Sequence, residues 1–333
     1  MRAPEFWGRP PGIAAALLSP LSAAWTAAAR RRQSAASPYR APVPVICVGN
    51  LVAGGAGKTP VVLGLAEMLG ASGIAAHIVS RGYGGRLAGP LRVDPMVHDA
   101  AAVGDEPLMI AAAAPCWVAR DRTAGVRAAA AAGAAAIILD DGLQNPTVAK
   151  DLSLLVVDAE FGFGNGRVIP AGPLREPAAA CLGRSDAVVL LGDGAAPPAL
   201  LAASCPTLRA RLAPVAGERF AGARVMAFAG IGRPSKFFAS LRGIGTVLVA
   251  AQPFADHHRF SQREIARLRE AAAHSGARLV TTAKDWARLP EPWRSGIEVL
   301  EIRLRWQDPA AAGRLLSGVL GQADGHRRSA ARG

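Results

Sequence analysis

Residues 45–60 read Val-Ile-Cys-Val-Gly-Asn-Leu-Val-Ala-Gly-Gly-Ala-Gly-Lys-Thr-Pro, and this stretch decides the fold of the chain. The apolar run 45–48 predicts a buried strand, and the glycines after it predict a tight turn. The turn ends in Gly57-Lys58-Thr59, and Pro60 suits the first turn of a helix, where a missing N–H costs nothing. Strand, glycine-rich turn, Lys-Thr and helix together indicate a phosphate-binding P-loop.

A P-loop of this kind binds a nucleotide such as ATP. Its backbone N–H groups surround the β-phosphate, its lysine reaches the β- and γ-oxygens, and its threonine hydroxyl binds Mg²⁺. The usual pattern has a glycine where this chain has Val52, so Gly54 and Gly55 would supply the flexibility. An ordinary glycine-rich turn is the alternative interpretation. The expected ATP-binding residues are Val52, Ala53, Gly54, Gly55, Ala56, Gly57, Lys58 and Thr59.

The overall composition allows several kinds of partner. With 333 residues, 51% of them hydrophobic and 19% charged, the chain can build two α/β domains or one large domain. The net charge of +13 suits an anionic partner, such as nucleotide phosphate, nucleic acid or an acidic membrane surface. A genomic bias toward Arg and Ala explains the charge equally well. The four cysteines are far apart, so neither a zinc site nor a disulfide scaffold is indicated, and a reducing compartment fits.

The N-terminal segment 12–29 carries no charge and has arginines on both sides, at Arg9 and at 30–32. It is near the lower limit of spanning length, and Pro20 together with many Ala and Ser residues weakens its tendency to insert. A secretory signal is a further interpretation, but an exported protein would have no ATP for its P-loop. We expect a helix lying in the cytoplasmic membrane interface through residues 12–32, with a spanning helix and an ordinary packing helix as alternatives.

From residue 43 onward, short β-branched apolar runs alternate with alanine-rich helical stretches, which predicts a parallel sheet with helices on both faces. The predicted strands are 75–79, 135–139, 152–157 and 187–191, with helices such as 61–69 and 123–132. Segments near 194–203 and 212–222 mark a domain boundary. A second set follows, with strands near 225–229, 246–250 and 279–282 and a helix at 262–274.

The predicted fold is α/β, a P-loop NTPase-like doubly wound, mostly parallel sheet with a second, smaller α/β domain and an N-terminal membrane-associated helix. Four regions are expected along the chain. They are a membrane-associated helical segment at 1–40, a P-loop ATP-binding domain at 41–210, a second α/β domain at 211–320, and a flexible tail at 321–333.

Two pairs of carboxylates are candidates for metal binding or proton transfer. Asp140 and Asp141 follow a predicted strand beside the P-loop strand, where an acid commonly holds Mg²⁺. One of them can bind the metal directly while the other acts through water, and the sequence does not choose between them. Asp105 and Glu106 precede a predicted helix. They are either a helix cap with a first-turn acid, or a base for an attacking hydroxyl with a metal-supporting partner.

Basic and aromatic side chains form the remaining candidates. Ser80, Arg81 and Tyr83 follow the second strand in a glycine-containing loop, where an arginine can grip a phosphate. Arg175 lies in a proline-rich loop and is a candidate for stabilising the charge of the transition state. Either His257 or His258, which follow Asp256, could assist a base from the first domain. Residues 281–286 are either a second phosphate contact or a capped turn.

Taken in order along the chain, these motifs resemble the tetraacyldisaccharide 4'-kinase family of lipid A biosynthesis. The resemblance extends from about residue 5 to residue 310, and the ordered series is more specific than the P-loop alone. The residues that carry it are Val48-Gly49-Asn50-Leu51, residues 53–60, Ser80-Arg81-Gly82-Tyr83-Gly84, Gly104-Asp105-Glu106-Pro107, Asp140-Asp141-Gly142-Leu143-Gln144, residues 170–176, Ala229-Gly230-Ile231-Gly232, Phe237-Phe238, Asp256-His257 and Lys284-Asp285.

The resemblance implies a membrane-associated enzyme at the cytoplasmic face of the bacterial inner membrane. Such an enzyme transfers the γ-phosphate of ATP to the 4'-hydroxyl of a tetraacyl glucosamine disaccharide 1-phosphate, with no nucleic acid and no obligate protein partner. Carried onto this chain, the resemblance makes Asp105 the base, with His257 assisting. Lys58 and Arg175 then serve the phosphates. The residues implied to manage the metal are Thr59, Glu106, Asp140 and Asp141.

Two other classes of function fit parts of the sequence. A P-loop ATPase that switches a protein partner would hydrolyse ATP without a lipid product, but it does not account for Asp105 or the apolar N-terminus. A nucleic-acid-binding protein would fit the positive charge. Against it, aromatic residues make up only 5% of the chain and the arginines are scattered.

Overall fold

The structure is a computed structural model that describes residues 4–330, and the side chains of residues 322–330 lie outside the description. The described strands are β1 Val45–Asn50, β2 Ala76–Ser80, β3 Leu91–Arg92, β4 Cys116–Val118, β5 Ala136–Asp140, β6 Leu152–Asp158, β7 Ala187–Leu191, β8 Thr207–Pro214, β9 Arg224–Ala229, β10 Val247–Pro253, β11 Arg278–Thr282, β12 Ile297–Leu300 and β13 Ile302–Trp306. The described α-helices are α1 Ile13–Ser34, α2 Lys58–Ala71, α3 Ala100–Val103, α4 Asp105–Ala111, α5 Arg122–Ala131, α6 Ala178–Leu182, α7 Pro198–Leu201, α8 Pro234–Gly243, α9 Gln262–His274, α10 Ala283–Arg288 and α11 Pro309–Ala330. Single 3₁₀ turns cover Glu5–Gly8, Gly217–Phe220 and Glu291–Trp293.

A nine-stranded sheet with the order β13-β8-β7-β6-β1-β5-β2-β4-β3 forms the larger unit. Its strands are parallel except for the edge strands β3 and β13, which run antiparallel to their neighbours. The central strands are apolar and buried on both faces because helices cover both sides of the sheet. The P-loop strand β1 lies between β5 and β6, with Val48 opposite Asp140. The predicted α/β fold class is confirmed.

A four-stranded parallel sheet with the order β10-β9-β11-β12 forms the smaller unit. One of its faces is covered by α8, which buries Phe237, Phe238 and Leu241 against β9. The other is covered by α9, which buries Ile265 and Leu268. A capping box at the start of α9 fixes where that helix begins.

After the smaller unit the chain returns to the nine-stranded sheet. β13 pairs with β8, beginning with Ile302 opposite Pro214, and α11 buries Leu316 and Val319 in the core beneath that sheet. The expected second domain at 211–320 therefore differs from the structure, because its last strand and helix belong to the larger unit. The sequence pattern did not reveal this, since an edge strand followed by an amphipathic helix fits either sheet.

Both ends of the chain contain long helices. α1 packs on the larger unit through a face that includes Ala15 and Ser22, while Ile13, Leu17 and Leu21 on another face are 82%, 75% and 59% exposed. Among residues 4–330, no helix combines the length and apolarity needed to cross a bilayer. The expected flexible tail begins inside α11, which continues to Ala330, and residues 331–333 lie outside the described residues.

Candidate active site

The side chain of Asn50 holds the P-loop in shape. Its Nδ2 donates to the carbonyl oxygens of Val52 at 2.8 Å and Gly54 at 3.2 Å, and its Oδ1 accepts from Lys58 Nζ at 3.0 Å. Gly57, immediately before α2, has a φ of 81°, a left-handed conformation that glycine adopts without strain. The turn and its lysine are therefore ordered by contacts within the loop itself.

Val52, at the position where a glycine is usual, has a packing role. Its side chain is buried, and its backbone forms an antiparallel bridge with Leu174. The next residue, Ala53, donates its N–H to the carbonyl oxygen of Pro173 at 2.8 Å. These contacts attach the P-loop to the loop that carries Arg175, so two sequence motifs become one surface.

Asp140 is buried at the end of β5, beside the P-loop strand. Its Oδ2 accepts from the Ser80 hydroxyl at 2.9 Å, whereas its enclosed Oδ1 has no hydrogen-bond partner in the described part of the chain. Burial, together with the nearby Glu106 carboxylate, raises the pKa of Asp140 to about 6, although the charge of Lys58 opposes this. Asp140 thus holds an acceptor oxygen that a cation could satisfy.

Asp141 points in a different direction from Asp140 and lies between two basic side chains that the sequence singled out, Lys58 and Arg175. Its carboxylate accepts from Arg175 at 2.9 and 3.0 Å and lies 3.4 Å from Lys58 Nζ. Burial disfavours its charge, but Lys58 and Arg175 outweigh burial and hold the pKa of Asp141 below its ordinary value. Arg175 is further oriented by Gln144 Oε1 at 3.3 Å. Lys58, Asp141 and Arg175 form one charged cluster at the P-loop.

Asp105 begins α4 and meets cations from the smaller unit. Its Oδ2 accepts from Nε of Arg288 at 2.7 Å and from a second nitrogen of the same guanidinium, and it lies 3.2 Å from His257 Nδ1 and 3.8 Å from Lys284 Nζ. Burial disfavours the charge, but the hydrogen bond from His257 and the charges of Lys284 and Arg288 hold the pKa of Asp105 well below its usual range. We call these four residues the Asp105 cluster.

His257, and not His258, contacts Asp105. The backbone of His257 has a φ of 57°, held by its N–H, which donates to the carbonyl oxygen of Gly230 at 3.1 Å. His258 points elsewhere, with Nε2 3.1 Å from Glu264 Oε1 and its ring stacked on Phe254 at 4.7 Å. The geometry thereby distinguishes the two histidines that the sequence left open.

The remaining predicted residues lie around these clusters. Glu106 pairs with Lys284 at 2.9 Å, and Ser80 is occupied by Asp140. Tyr83 is 71% exposed, with its ring edge-on to that of His257 at 5.8 Å between centroids. Arg81, the residue after Ser80, is exposed. The loop after β2 therefore reaches the Asp105 cluster through Tyr83.

A second set of ion pairs joins the two units on the other side of β1. Asp158, at the end of β6, accepts from Arg233 and Lys236 of the smaller unit at 2.8 Å each. Nearby, a Cβ on Gly232 would lie 3.8 Å from the backbone nitrogen of Gly55 in the P-loop. We call Asp158, Arg233 and Lys236 the Asp158 clasp. It and the Asp105 cluster lie on opposite sides of the P-loop.

Sequence reasoning missed several of these residues. Asn50 carried a signal, because a polar side chain at the end of an otherwise apolar buried strand usually has a specific partner. Arg288 carried only a weak signal. It follows Lys284 by four residues, a spacing that places two side chains on the same face of a helix. The Asp158 clasp carried none, because its members are 75 and 78 residues apart in the chain.

The arrangement suits phosphoryl transfer, which depends chiefly on positioning and on neutralising charge. Lys58 and Arg175 supply positive charge next to a loop of backbone N–H groups. A carboxylate with a histidine at its side lies across the cleft. Fold and site together place the chain among P-loop kinases.

Comparison with known proteins narrows this class. A family model described as Tetraacyldisaccharide-1-P 4'-kinase, LpxK, matches residues 14–320. The tetraacyldisaccharide 4'-kinase of Rhodospirillum centenum is 57% identical over 98% of this chain and 99% of that protein, and that of Dinoroseobacter shibae is 54% identical over 93% and 95%. The chain belongs to this family. The predicted family and the predicted kinase activity in lipid A biosynthesis are confirmed.

A solved structure supports the same relationship. The crystal structure of LpxK from Aquifex aeolicus in complex with ATP has a TM-score of 0.74 to this structure at 25% sequence identity. The match covers 92% of this chain and 99% of that one. The similarity therefore includes both units, and ATP is the nucleotide of the family.

Proposed function

We propose that this chain transfers the γ-phosphate of ATP to the 4'-hydroxyl of a tetraacyl glucosamine disaccharide 1-phosphate at a membrane surface, and that Asp105 accepts the proton of that hydroxyl. The observation that carries the proposal is geometric. The loop after β2 connects the two clusters, because Ser80 donates to Asp140 beside the P-loop strand at 2.9 Å and the Tyr83 ring lies 5.8 Å from that of His257. Nucleotide-binding and acceptor-binding groups would thus belong to one site.

The ATP half of the site consists of the P-loop and the cluster around Asp141. Lys58 and Arg175 are held by the Asp141 carboxylate, and phosphate oxygens would replace or share these contacts. Because Arg175 offers a planar fork of donors, it suits the equatorial oxygens of the transferred group. Residues 52–59 would surround the β-phosphate with backbone N–H groups.

The donor set near β5 fits Mg²⁺. The enclosed Oδ1 of Asp140 has no hydrogen-bond partner among the described residues, and Thr59 lies in the first turn of α2. Within residues 4–330 no three acidic, histidine or cysteine side chains form a ready-made cage, and Mg²⁺ in kinases characteristically takes only one or two carboxylates plus phosphate oxygens. Asp140 and Thr59 would hold the ion, with Glu106 and Asp141 reaching it through water. Its charge would neutralise that of the phosphates.

The acceptor half lies in the Asp105 cluster. As the acceptor oxygen forms its bond to phosphorus, the bond from the γ-phosphorus to the β–γ bridging oxygen breaks, and the hydroxyl proton passes to Asp105. A carboxylate with a low pKa accepts that proton only when the O–H bond has already weakened, which fits a loose, late transfer. His257 would support Asp105, and Ser80, Arg81 and Tyr83 would face the sugar.

Helix α1 would keep the enzyme at the surface where its lipid substrate lies. Ile13, Leu17, Leu21 and Trp25 recur every four residues and form an exposed apolar stripe. Arg30, Arg31 and Arg32 follow at the C-terminal end and suit anionic lipid headgroups. We place this contact at the cytoplasmic face of the bacterial inner membrane, where ATP is available. The proposal needs neither nucleic acid nor an obligate protein partner.

A lipid phosphorylation assay tests the proposed reaction. Purified protein is incubated with ATP, Mg²⁺ and a detergent-dispersed tetraacyl disaccharide 1-phosphate, and the product is analysed by mass spectrometry. We expect one additional phosphate on the lipid, and its loss in Lys58→Ala. ATP hydrolysis without a phosphorylated lipid would contradict the proposal and favour an ATPase that switches a partner.

Vesicle co-sedimentation tests the role of α1. Leu17→Ser with Leu21→Ser should reduce binding to vesicles that contain phosphatidylglycerol, because the apolar stripe is interrupted. The matched control is Leu201→Ser, which changes an equally exposed leucine outside α1. Equal binding of both variants would exclude the stripe as the membrane contact.

A further inference from the structure

Arg288, the last residue of α10, is held in one orientation by four hydrogen bonds to oxygen atoms, and one of its terminal nitrogens also lies 3.4 Å from His257 Nδ1. Its Nε and one terminal nitrogen donate to Asp105 Oδ2, and the other terminal nitrogen donates to Asp285 Oδ1 and the Gly230 carbonyl oxygen at 2.7 Å each. Its side chain is only 8% exposed. Because every guanidinium nitrogen has an acceptor, the side chain has little freedom to rotate.

All the hydrogen bonds that Asp105 receives through its side chain converge on one oxygen. Arg288 donates to Oδ2, and the closest approaches of His257 and Lys284 are to the same atom. Among the described side chains and backbone groups, no hydrogen bond reaches Oδ1. That atom is not fully enclosed, so part of its surface stays accessible although the Asp105 side chain is only 7% exposed.

We propose that Arg288 is a positioning residue for phosphoryl transfer, which fixes the Asp105 carboxylate by one oxygen and reserves the other for the acceptor hydroxyl. This inference rests on the proposed role of Asp105 as the proton acceptor. The hydrogen bonds of the Arg288 side chain are all to protein atoms, so Arg288 acts through Asp105. The orientation also depends on Gly230 and Asp285, which anchor the guanidinium within the smaller unit.

The geometry explains why a buried arginine is placed here rather than a lysine alone. Lys284 is a point charge 3.8 Å from Asp105 and is closer to Glu106, so it balances charge without fixing the carboxylate. Two donors of one rigid guanidinium on Oδ2 fix the position of that oxygen more narrowly than a rotating ammonium can. A hydroxyl proton needs an acceptor at hydrogen-bond distance and in line, and a misplacement of about 1 Å can cost about 100-fold in rate.

Kinetics of two substitutions test the proposal. Arg288→Lys keeps the charge but cannot bridge Asp105, Gly230 and Asp285 together, and Arg288→Gln removes the charge. We expect kcat to fall by about 10- to 100-fold in Arg288→Lys, with the KM values for ATP and lipid changed less than about threefold. The matched control is Arg294→Gln, which loses contacts to the carbonyl oxygens of Leu289 and Ala287 and to the Trp286 ring, and which should leave kcat unchanged.

A double-substitution cycle separates positioning from simple stabilisation of the fold. In an Asp105→Asn background the base is already lost, so adding Arg288→Lys should reduce kcat by less than about twofold. If the two losses multiply, or if Arg288→Lys retains wild-type kcat, the proposal is wrong. Retention of activity in Asp105→Asn alone would instead overturn the proposed role of Asp105. Circular dichroism at the assay temperature and a thermal unfolding curve establish that each variant is folded in the assay.

Discussion

At the residue scale, Gly104 helps to set the position of Asp105, the proposed base. Its φ is 92°, and a Cβ added there would lie 2.5 Å from the carbonyl oxygen of Tyr83. The residue therefore needs glycine both for its conformation and for the close approach of the loop after β2. Because Asp105 is the next residue, any shift of Gly104 moves the carboxylate.

Gly104→Ala should consequently reduce both stability and turnover. We expect a loss of about 2–4 kcal/mol in the free energy of unfolding from backbone strain and the clash, with a lower kcat in lipid phosphorylation. The control is Gly133→Ala, whose φ of 87° is similar but whose Cβ would point into open space. It should cost only about 1–2 kcal/mol and leave kcat intact. Equal effects of both changes on kcat would contradict this explanation.

Asp105→Ala should reduce turnover without weakening nucleotide binding. A positioned general base contributes about 100- to 10,000-fold, so we expect kcat to fall within that range. ATP affinity, measured by isothermal titration, should stay within about threefold, because the P-loop contacts come from residues on other elements. Nearly intact turnover would show that Asp105 is not the base.

How far the sequence predicted the site depends on the distances between its residues along the chain. The P-loop was predictable because its strand, glycines and Lys-Thr are contiguous, and Asp140-Asp141 because they end a recognisable strand. Arg288 was not, since it reaches Asp105 across 183 positions through a fold that no local pattern encodes. The family resemblance supplied the role of Asp105, which from residues alone remained equally consistent with a helix cap.

At the element scale, β13 and α11 complete the larger unit. A Cβ on Gly64 of α2 would lie 2.9 Å from Leu304 of β13, which shows how closely the returning strand packs on the P-loop helix. α11 then covers the same side of the sheet with Leu316 and Val319. The sequence predicted the central strands to within a few residues, because each is a continuous apolar run. It did not assign β13, which is exposed at three of its five residues and pairs with a strand far away along the chain.

Leu316→Ala tests whether α11 belongs to that core. Leu316 is 4% exposed, so its truncation should leave a cavity and cost about 2–5 kcal/mol in the free energy of unfolding, measured by urea denaturation. Leu201→Ala, at a leucine that is 76% exposed, is the control and should change it by less than about 0.5 kcal/mol. A stability loss no larger than that of the control would place α11 outside the folded core.

At the scale of the whole molecule, two ionic contacts join the units on either side of the P-loop. The Asp105 cluster connects α4 to α10, and the Asp158 clasp connects the end of β6 to α8. Arg233 also lies over the ring of Phe161 at 4.6 Å. Ion pairs therefore join the two units on both sides of the P-loop.

The Asp158 clasp should make stability depend on acid pH. Burial disfavours the charge of Asp158, but Lys236 and Arg233 outweigh burial and hold its pKa below the ordinary value of 3.8. The stabilisation is thus complete above about pH 4 and is lost as the pH falls through the lower pKa of the folded protein. Asp158→Asn should cost about 1–3 kcal/mol at pH 7 and progressively less below pH 4.

Thermal unfolding between pH 7 and pH 3 measures this dependence. The control is Glu160→Gln, because Glu160 also pairs with Lys236 at 2.9 Å but is 68% exposed. An exposed pair contributes little, so this variant should follow the wild type at every pH. A constant difference between Asp158→Asn and wild type across the range would rule out the titration of Asp158 as the cause.

The return of the chain through β13 makes the smaller unit an insertion within the larger one. The chain leaves the larger sheet after β8, forms the smaller unit and returns to the larger sheet at β13. At this point the N–H of Val215 donates to the carbonyl oxygen of Glu301 at 2.9 Å. Its entry and exit points are thus side by side, as in domains inserted into a host. A short turn could close the gap between these two strands without changing the order of the other seven. The smaller unit is thus an insertion between two neighbouring strands of the sheet that carries the P-loop.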